Sequence, residues 1–522
     1  MTKNFKWLFL VALTFVACNS DEDVVVDANS SDGLPLTAGT ADFSKYVAVG
    51  NSLTAGFSDG ALFIEGQKGS WTNIISQQFA LVGGGEYRIP FMSDNLGGFS
   101  INGSQFPQTG VRTYWNGCSP TAVSGISSTV LGASIASNGP YNNVGIPGAR
   151  CIDLVTAGYA GSSPYFGRIA TAPNQTVLEY ASSQSPTFFS LWIGNNDVLG
   201  YALAGGDTNF AQITPSVGPI GIGFDSSYNA LIDGLTANGA KGVVGNVPFV
   251  TTIPNFTTVS VTPVAPYKYF TDVDQGVGCA VYSVSPSDIA TINTINASVL
   301  GPIKQILTLY GQGNRIQLLS TTTSNPILIV DETLSDLSAE ITGAALASGN
   351  PQLMALAPFL GPTFGKARHT KAGDLIPLAS STAIASNAPL PPGVPADLGK
   401  YGITYPMSDR FVLIPSEIEE LRVATEAYNV TIKAAADAKG LAFVDANAIL
   451  SQVNNGGLIY NGYTMTSNFV TGNSFSLDGV HPSPKGYALI ANKFIEAINT
   501  TYGSNLRGPN LGGYRILFPA SL

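Results

Sequence analysis

Histidine is scarce in this chain: its 522 residues include two, His369 and His481. Imidazole is the side chain whose ordinary pKa suits proton transfer near neutral pH. A serine nucleophile would therefore have two bases to choose from. His481 lies in Leu477-Asp478-Gly479-Val480-His481-Pro482-Ser483. In a turn, Asp478 can reach the imidazole three residues on, hold one tautomer and stabilise the imidazolium. His369 lies in the basic stretch 365–371, has no partner motif, and reads as a surface residue. Near the other end, Val47-Ala48-Val49-Gly50-Asn51-Ser52-Leu53-Thr54-Ala55-Gly56 reads as a strand, a glycine turn and a helix start. That context exposes Ser52 at the carboxyl edge of a sheet, with backbone N–H groups nearby for an oxyanion. A competing serine, Ser58, lies in Gly56-Phe57-Ser58-Asp59-Gly60, which has the spacing of a nucleophile elbow. An elbow must follow a strand directly. Residues 52–55 intervene, so Ser52 is the stronger candidate.

The elements that must position these residues read as α/β. Short apolar runs at 46–49, 187–192, 241–247 and 441–444 look like buried parallel strands. Each ends in a Gly, Asn or Asp cluster, where α/β folds place their sites. Ser416-Glu417-Ile418-Glu419 reads as a capping box. It opens a helix with Ile418, Leu421, Thr425, Tyr428 and Ile432 on one side and a stop at Gly440. A second helix starts at Pro484, capped by Ser483. Residues 251–410 break the alternation and read as one large insertion, with an apolar helix over 344–360. That insertion packs as extra core or covers an acyl-binding pocket as a lid. Gly311-Gln312-Gly313 and Gly221-Ile222-Gly223 lack the third glycine of a phosphate loop. With two histidines and no cysteine pair, a zinc site is not expected.

Four blocks in order resemble the SGNH, or GDSL, hydrolase superfamily. They are Gly50-Asn51-Ser52-Leu53, Asn143-Val144-Gly145-Ile146-Pro147-Gly148, Gly194-Asn195-Asn196-Asp197 and Asp478-Gly479-Val480-His481. The resemblance spans residues 43–500 outside the insertion. It implies a three-layer α/β/α fold, flavodoxin-like, with a central parallel sheet. It also implies roles: Ser52 as nucleophile, His481 as base and Asp478 as its orienting acid. The backbone N–H groups of Ser52 and Gly148, with the Asn196 amide, would form the oxyanion hole. Asn51 departs from the family's Asp, which is not the triad carboxylate.

The N-terminus reads as a processing signal. Lys3 and Lys6 precede an apolar run over 7–17, too short to span a bilayer. Phe15-Val16-Ala17-Cys18 resembles a bacterial lipoprotein signal, with Cys18 lipidated after removal of residues 1–17. Asn19-Ser20-Asp21-Glu22-Asp23 resembles the surface-export signal of Bacteroidota lipoproteins, and residues 18–41 read as an acidic tether. The domain proper would then run over 42–522. Cys118, Cys151 and Cys279 form no disulfide framework, and one bridge such as Cys118–Cys151 is open. Charged residues are 11% of the chain, with 24 basic against 34 acidic, a net charge of −10. That balance excludes nucleic-acid binding, which needs basic patches. The expectation is an outer-membrane lipoprotein, exposed at the cell surface, that hydrolyses a small-molecule, lipid or glycan ester and needs no cofactor. A glycan O-acetylesterase with the same triad and a non-catalytic glycan- or protein-binding lipoprotein are the rivals.

Overall fold

Alternating side chains along five short strands build two apolar cores. In the computed structural model, which describes residues 27–265 and 286–522, these strands form one sheet. They are β1 (Tyr46–Gly50), β2 (Asn143–Gly145), β3 (Phe188–Trp192), β4 (Lys241–Gly245) and β5 (Ala442–Val444). Their order is β5-β4-β3-β1-β2, all parallel. Val47, Val49, Phe189, Leu191 and Val244 point to one face. Tyr46, Ala48, Phe188, Trp192 and Val243 point to the other, as the period of two requires. Seven helices matter for the site: α1 (Ser52–Ala55), α2 (Trp71–Ala80), α3 (Asn196–Leu203), α4 (Phe224–Thr236), α5 (Pro415–Lys439), α6 (Ala446–Asn454) and α7 (Pro484–Tyr502). Helices α4 and α5 cover the first face, and α2, α6 and α7 the second. Parallel strands buried on both sides explain why the runs read as continuously apolar.

The order reverses between β1 and β3, so the chain leaves the sheet in opposite directions at their carboxyl ends. Such a switch point opens a crevice. Ser52 follows β1 and Asn196 follows β3, so both candidates flank it. Strand β2 had no sequence signature, because three residues ending in glycine offer no alternation to read.

Helix starts follow local chemistry. Ser483 Oγ accepts from Gly486 N–H at 3.0 Å, as expected for the cap of α7. The other cap is displaced from the expected Ser416. Pro415 takes the first helical position, and Glu417 reaches back to accept from Ile414 N–H at 2.8 Å.

The insertion packs around a core of its own, from Val259 to Ile414. The apolar helix expected over 344–360 is two helices, Ser338–Ala347 and Pro351–Phe364. Asn350 separates them, its side chain accepting from Gln352 and Leu353 N–H. The stretch expected at the surface around His369 is buried instead. Arg368 forks onto Asp374 at 2.7 and 2.8 Å and onto Asp331 at 2.5 Å, so its charge is matched inside the fold. His369 is 3% exposed, in a strand paired with Leu328–Val330. Burial, then the charge of Lys304, pushes its pKa down to about 3.

A second excursion, between α2 and β2, forms two small hairpins, Phe99–Ile101 with Ser104–Phe106 and Thr113–Trp115 with Pro120–Ala122. Buried Arg112 ties this region to the C-terminal segment through the carbonyls of Pro519 and Ala520.

The lipoprotein signal, Cys18, the acidic cluster and Cys279 lie outside the described residues. The expected tether is docked from Asp27 onward: Ser31, Thr37 and Thr40 donate to Asn505 and Tyr502. Among the described residues no helix is long and apolar enough to cross a membrane.

The Cys118–Cys151 bridge is not formed. Cys118 is disulfide-bonded, and Cys151 is a free thiol with no exposed surface. Burial, then the nearby carboxylates Asp197 and Asp153, raises the Cys151 pKa, which suppresses the reactive thiolate. Cys151 should therefore be silent to a thiol reagent such as DTNB in the folded protein and titrate fully in denaturant. Reaction under native conditions at the rate of a free thiol would contradict this packing.

Candidate active site

The turn 474–483 holds two neighbouring members of a proton-transfer chain, Asp478 and His481. Phe475 bridges Pro482, and Ser476 N–H donates to the His481 carbonyl at 2.8 Å. At the tip, Gly479 takes a left-handed φ of 68°, and an added Cβ would lie 3.0 Å from Asn255 N. Glycine relieves both constraints. The tip directs Asp478 back along the turn. Asp478 Oδ1 accepts from Val480 N–H at 2.9 Å, His481 N–H at 2.8 Å and Ser476 Oγ at 3.0 Å. Asp478 Oδ2 accepts from Gly60 N–H at 3.0 Å and lies 2.9 Å from His481 Nδ1.

Burial opposes ionisation of Asp478. The His481 imidazole and the backbone N–H groups outweigh it and hold the carboxyl at about 2. An ionised carboxylate only accepts hydrogen bonds. The proton between the two residues therefore belongs to Nδ1, which leaves Nε2 as an acceptor. His481 Nε2 lies 2.9 Å from Ser52 Oγ, across 429 positions of sequence. The Phe57 ring packs on the imidazole, centroids 4.5 Å apart. The imidazole has one available tautomer, and its free lone pair faces a serine hydroxyl.

Ser52 owes its position to close packing at the end of β1. A Cβ on Gly50 would lie 2.2 Å from Thr54 Oγ1 and 2.5 Å from the Trp192 carbonyl. Asn51 caps α1 by accepting from Leu53 N–H at 3.0 Å. That is a task an Asp would also perform.

The remaining candidates lie on adjoining loops. Gly148 has a φ of 82°, which favours glycine. Asn196 Nδ2 donates to the Ala149 carbonyl at 2.9 Å, leaving its second N–H for another acceptor. Asp197, fully buried, accepts from Cys151 N–H at 2.8 Å and so pins the Gly148 loop to the start of α3.

Ser52, His481 and Asn196 line an apolar pocket of about 950 Å³ including its open mouth. Asn196 also borders a second cleft with Gly148 and Arg150. Among the described residues of the insertion, Ile253 borders the apolar pocket. Glu332, Asp409 and Glu417 bring carboxylate oxygens within 4.8 Å of one another, as a cation site would require. They share no residue with either cavity.

The elbow-like motif turns out to be a strut. Ser58 Oγ donates to the Pro482 carbonyl at 3.2 Å. Asp59 N–H donates to Ser476 Oγ at 3.0 Å, and Asp59 Oδ1 accepts from Leu477 N–H at 2.9 Å. With Gly60, three consecutive residues clamp the turn that carries Asp478 and His481. Sequence reasoning missed Asp59 as a functional residue. Its presence inside a glycine-flanked motif was the available signal.

Asp59 is 1% exposed. Burial, and then the neighbouring Asp478 charge, raises its pKa to about 7, against the pull of the Leu477 N–H and Arg112. A carboxyl raised in the folded state stabilises it fully below the ordinary value of 3.8 and loses that contribution as pH rises to about 7. Asp59→Asn keeps the acceptor for Leu477 and cannot ionise. Its Tm should rise relative to the parent between pH 5 and pH 8. A Tm difference independent of pH over that range would contradict the assignment. The chain matches no family model, no curated protein and no solved structure, so the chemistry of this site has to be read from the residues themselves.

Proposed function

We propose that this chain is a serine hydrolase of the SGNH type that cleaves carboxylic esters through an acyl-enzyme on Ser52. The observation that supports it best is the continuous chain from Asp478 through His481 to Ser52, with both hydrogen bonds at 2.9 Å. The four sequence blocks support it independently. Their residues Ser52, Gly148, Asn196 and His481 lie around two adjoining cavities.

The cycle has four proton-balanced steps. Ser52 Oγ attacks the ester carbonyl carbon while His481 Nε2 takes the hydroxyl proton. The oxyanion that forms is met by the N–H groups of Ser52 and Gly148 and by the Asn196 amide. The carbon–oxygen bond to the alcohol breaks, and His481 returns the proton to the departing oxygen. Water then repeats the sequence on the acyl-enzyme, releasing the acid and restoring Ser52. Asp478 remains ionised throughout and stabilises the imidazolium.

A lipid on Cys18 would hold this enzyme at the outer membrane. The apolar run ending at Ala17 and the acidic residues 21–23 support that reading.

Fluorophosphonate labelling tests the nucleophile. The parent should be labelled, Ser52→Ala should not, and Ser58→Ala should retain labelling. Labelling that survives Ser52→Ala would falsify the assignment. Asp478→Asn should lower kcat by about 10³–10⁴, because the amide favours the wrong imidazole tautomer. Asn196→Ala should lower kcat by about 10²–10³ with KM nearly unchanged, as expected for a donor used in the transition state.

A further inference from the structure

The two cavities that meet at Asn196 and Leu199 differ in the chemistry they can accept. The first runs from Ser52 and His481 between α6 and α7. Its walls are apolar: Leu450 and Val453 from α6, Leu489 and Ile490 from α7, with Trp192 and Phe494 beneath them. Residues from Gly486 to Phe494 border it, eight helical steps, so it extends about 12 Å along the α7 axis away from the imidazole. The Trp192 and Phe494 rings pack at 5.7 Å with their planes tilted by 49°, and the Trp192 Nε1–H is satisfied by the Asn246 carbonyl at 2.9 Å. The indole therefore presents carbon to the cavity. The second cavity is wider, about 1120 Å³ including open solvent, and its lining is mixed: Arg150, Asn209 and Gln212 beside Leu199, Leu203 and Phe210.

An acyl-enzyme treats the two halves of an ester unequally. The alcohol must depart and water must enter before the acid is released. The acyl group stays bound to Ser52 throughout. An apolar channel suits the half that stays, and a more open cleft with polar groups on its rim suits the half that leaves. We infer that the channel between α6 and α7 is an acyl-chain site, and that the substrates are esters of linear medium- to long-chain fatty acids whose polar alcohol lies in the Arg150 cleft. This rests on the proposed hydrolase chemistry at Ser52 and adds its substrate class. A glycan O-acetylesterase would have no use for such a channel.

The test is kcat/KM on p-nitrophenyl esters with acetyl, butyryl, hexanoyl and octanoyl chains. Burying one methylene in an apolar site should raise it about fourfold, so the series should climb steeply from acetyl to octanoyl. Leu450→Trp and Ile490→Trp each place an indole in the channel. Each should lower the octanoyl-to-acetyl ratio at least tenfold. Both side chains are partly exposed, which favours folding of the variants, and the series on the parent stands without them. Acetate esters of ethanol and octanol form the control, expected to differ little. A series that is flat or peaks at acetyl, while Ser52 is labelled by the fluorophosphonate, overturns the acyl site and leaves the hydrolase intact. A gain on the octanol side instead overturns the assignment of the two halves. Loss of Ser52 labelling in the parent would remove the reading beneath both.

Discussion

A buried carboxylate has to stay charged for the triad to have one tautomer. Asp478 receives four hydrogen bonds besides that of the imidazole, from Val480, His481, Ser476 and Gly60. Three of these donors belong to the turn that carries Asp478 itself. The fourth comes from a loop 418 positions away. The turn therefore supplies most of the solvation that burial removes, and the Ser58–Gly60 strut supplies the rest while fixing the turn in space. Without that charge, Nδ1 would no longer be obliged to carry the proton, and Nε2 would lose its claim on Ser52.

The sheet gives this local chemistry its global frame. Ser52 depends on β1, Asn196 on β3 and His481 on the entry to α7. The switch in strand order places the first two on either side of one crevice. Helix α7 packs on the second core through Tyr487, Phe494 and Ile498, which sets its first turn, and the histidine just before it, over the same crevice. The insertion is accommodated because it leaves the sheet after β4, between the segments that carry Ser52 and Asn196 and the turn that carries Asp478 and His481, and returns through α5 with a core of its own.

Much of the site was legible because its signals are short-ranged. Asp478 and His481 lie three residues apart, and Gly50 and Gly479 mark positions where a Cβ has little or no room. The five-residue strands β1, β3 and β4 announce themselves by short, mostly apolar runs. Other features depend on partners distant in sequence, and no local pattern reveals them. Arg368 and His369 looked exposed because the acid that buries Arg368 most tightly from outside the stretch, Asp331, is 37 positions away. The Ser58–Gly60 strut looked like a nucleophile elbow because its true contacts lie more than 400 positions on. The channel between α6 and α7 went unseen because Leu450, Leu489 and Ile490 look like any apolar helix face.

Asp59 sharpens the electrostatic argument. Two carboxyl groups in one buried neighbourhood cannot both ionise without mutual repulsion, and the environment separates them. Asp478 has the imidazole and four donors and is held at about 2. Asp59 has the Leu477 N–H on one oxygen, while its other oxygen, Oδ2, is buried without a partner, and its pKa is pushed to about 7. At mildly acid pH the pair therefore carries one negative charge, on the carboxyl that faces the histidine. A protonated Asp59 keeps its Oδ1 contact to the turn and adds no competing field. The same segment that looks like a misplaced nucleophile elbow thus does two things for the triad. It braces the turn through its backbone, and it lets one carboxyl stay neutral so that its neighbour can stay charged.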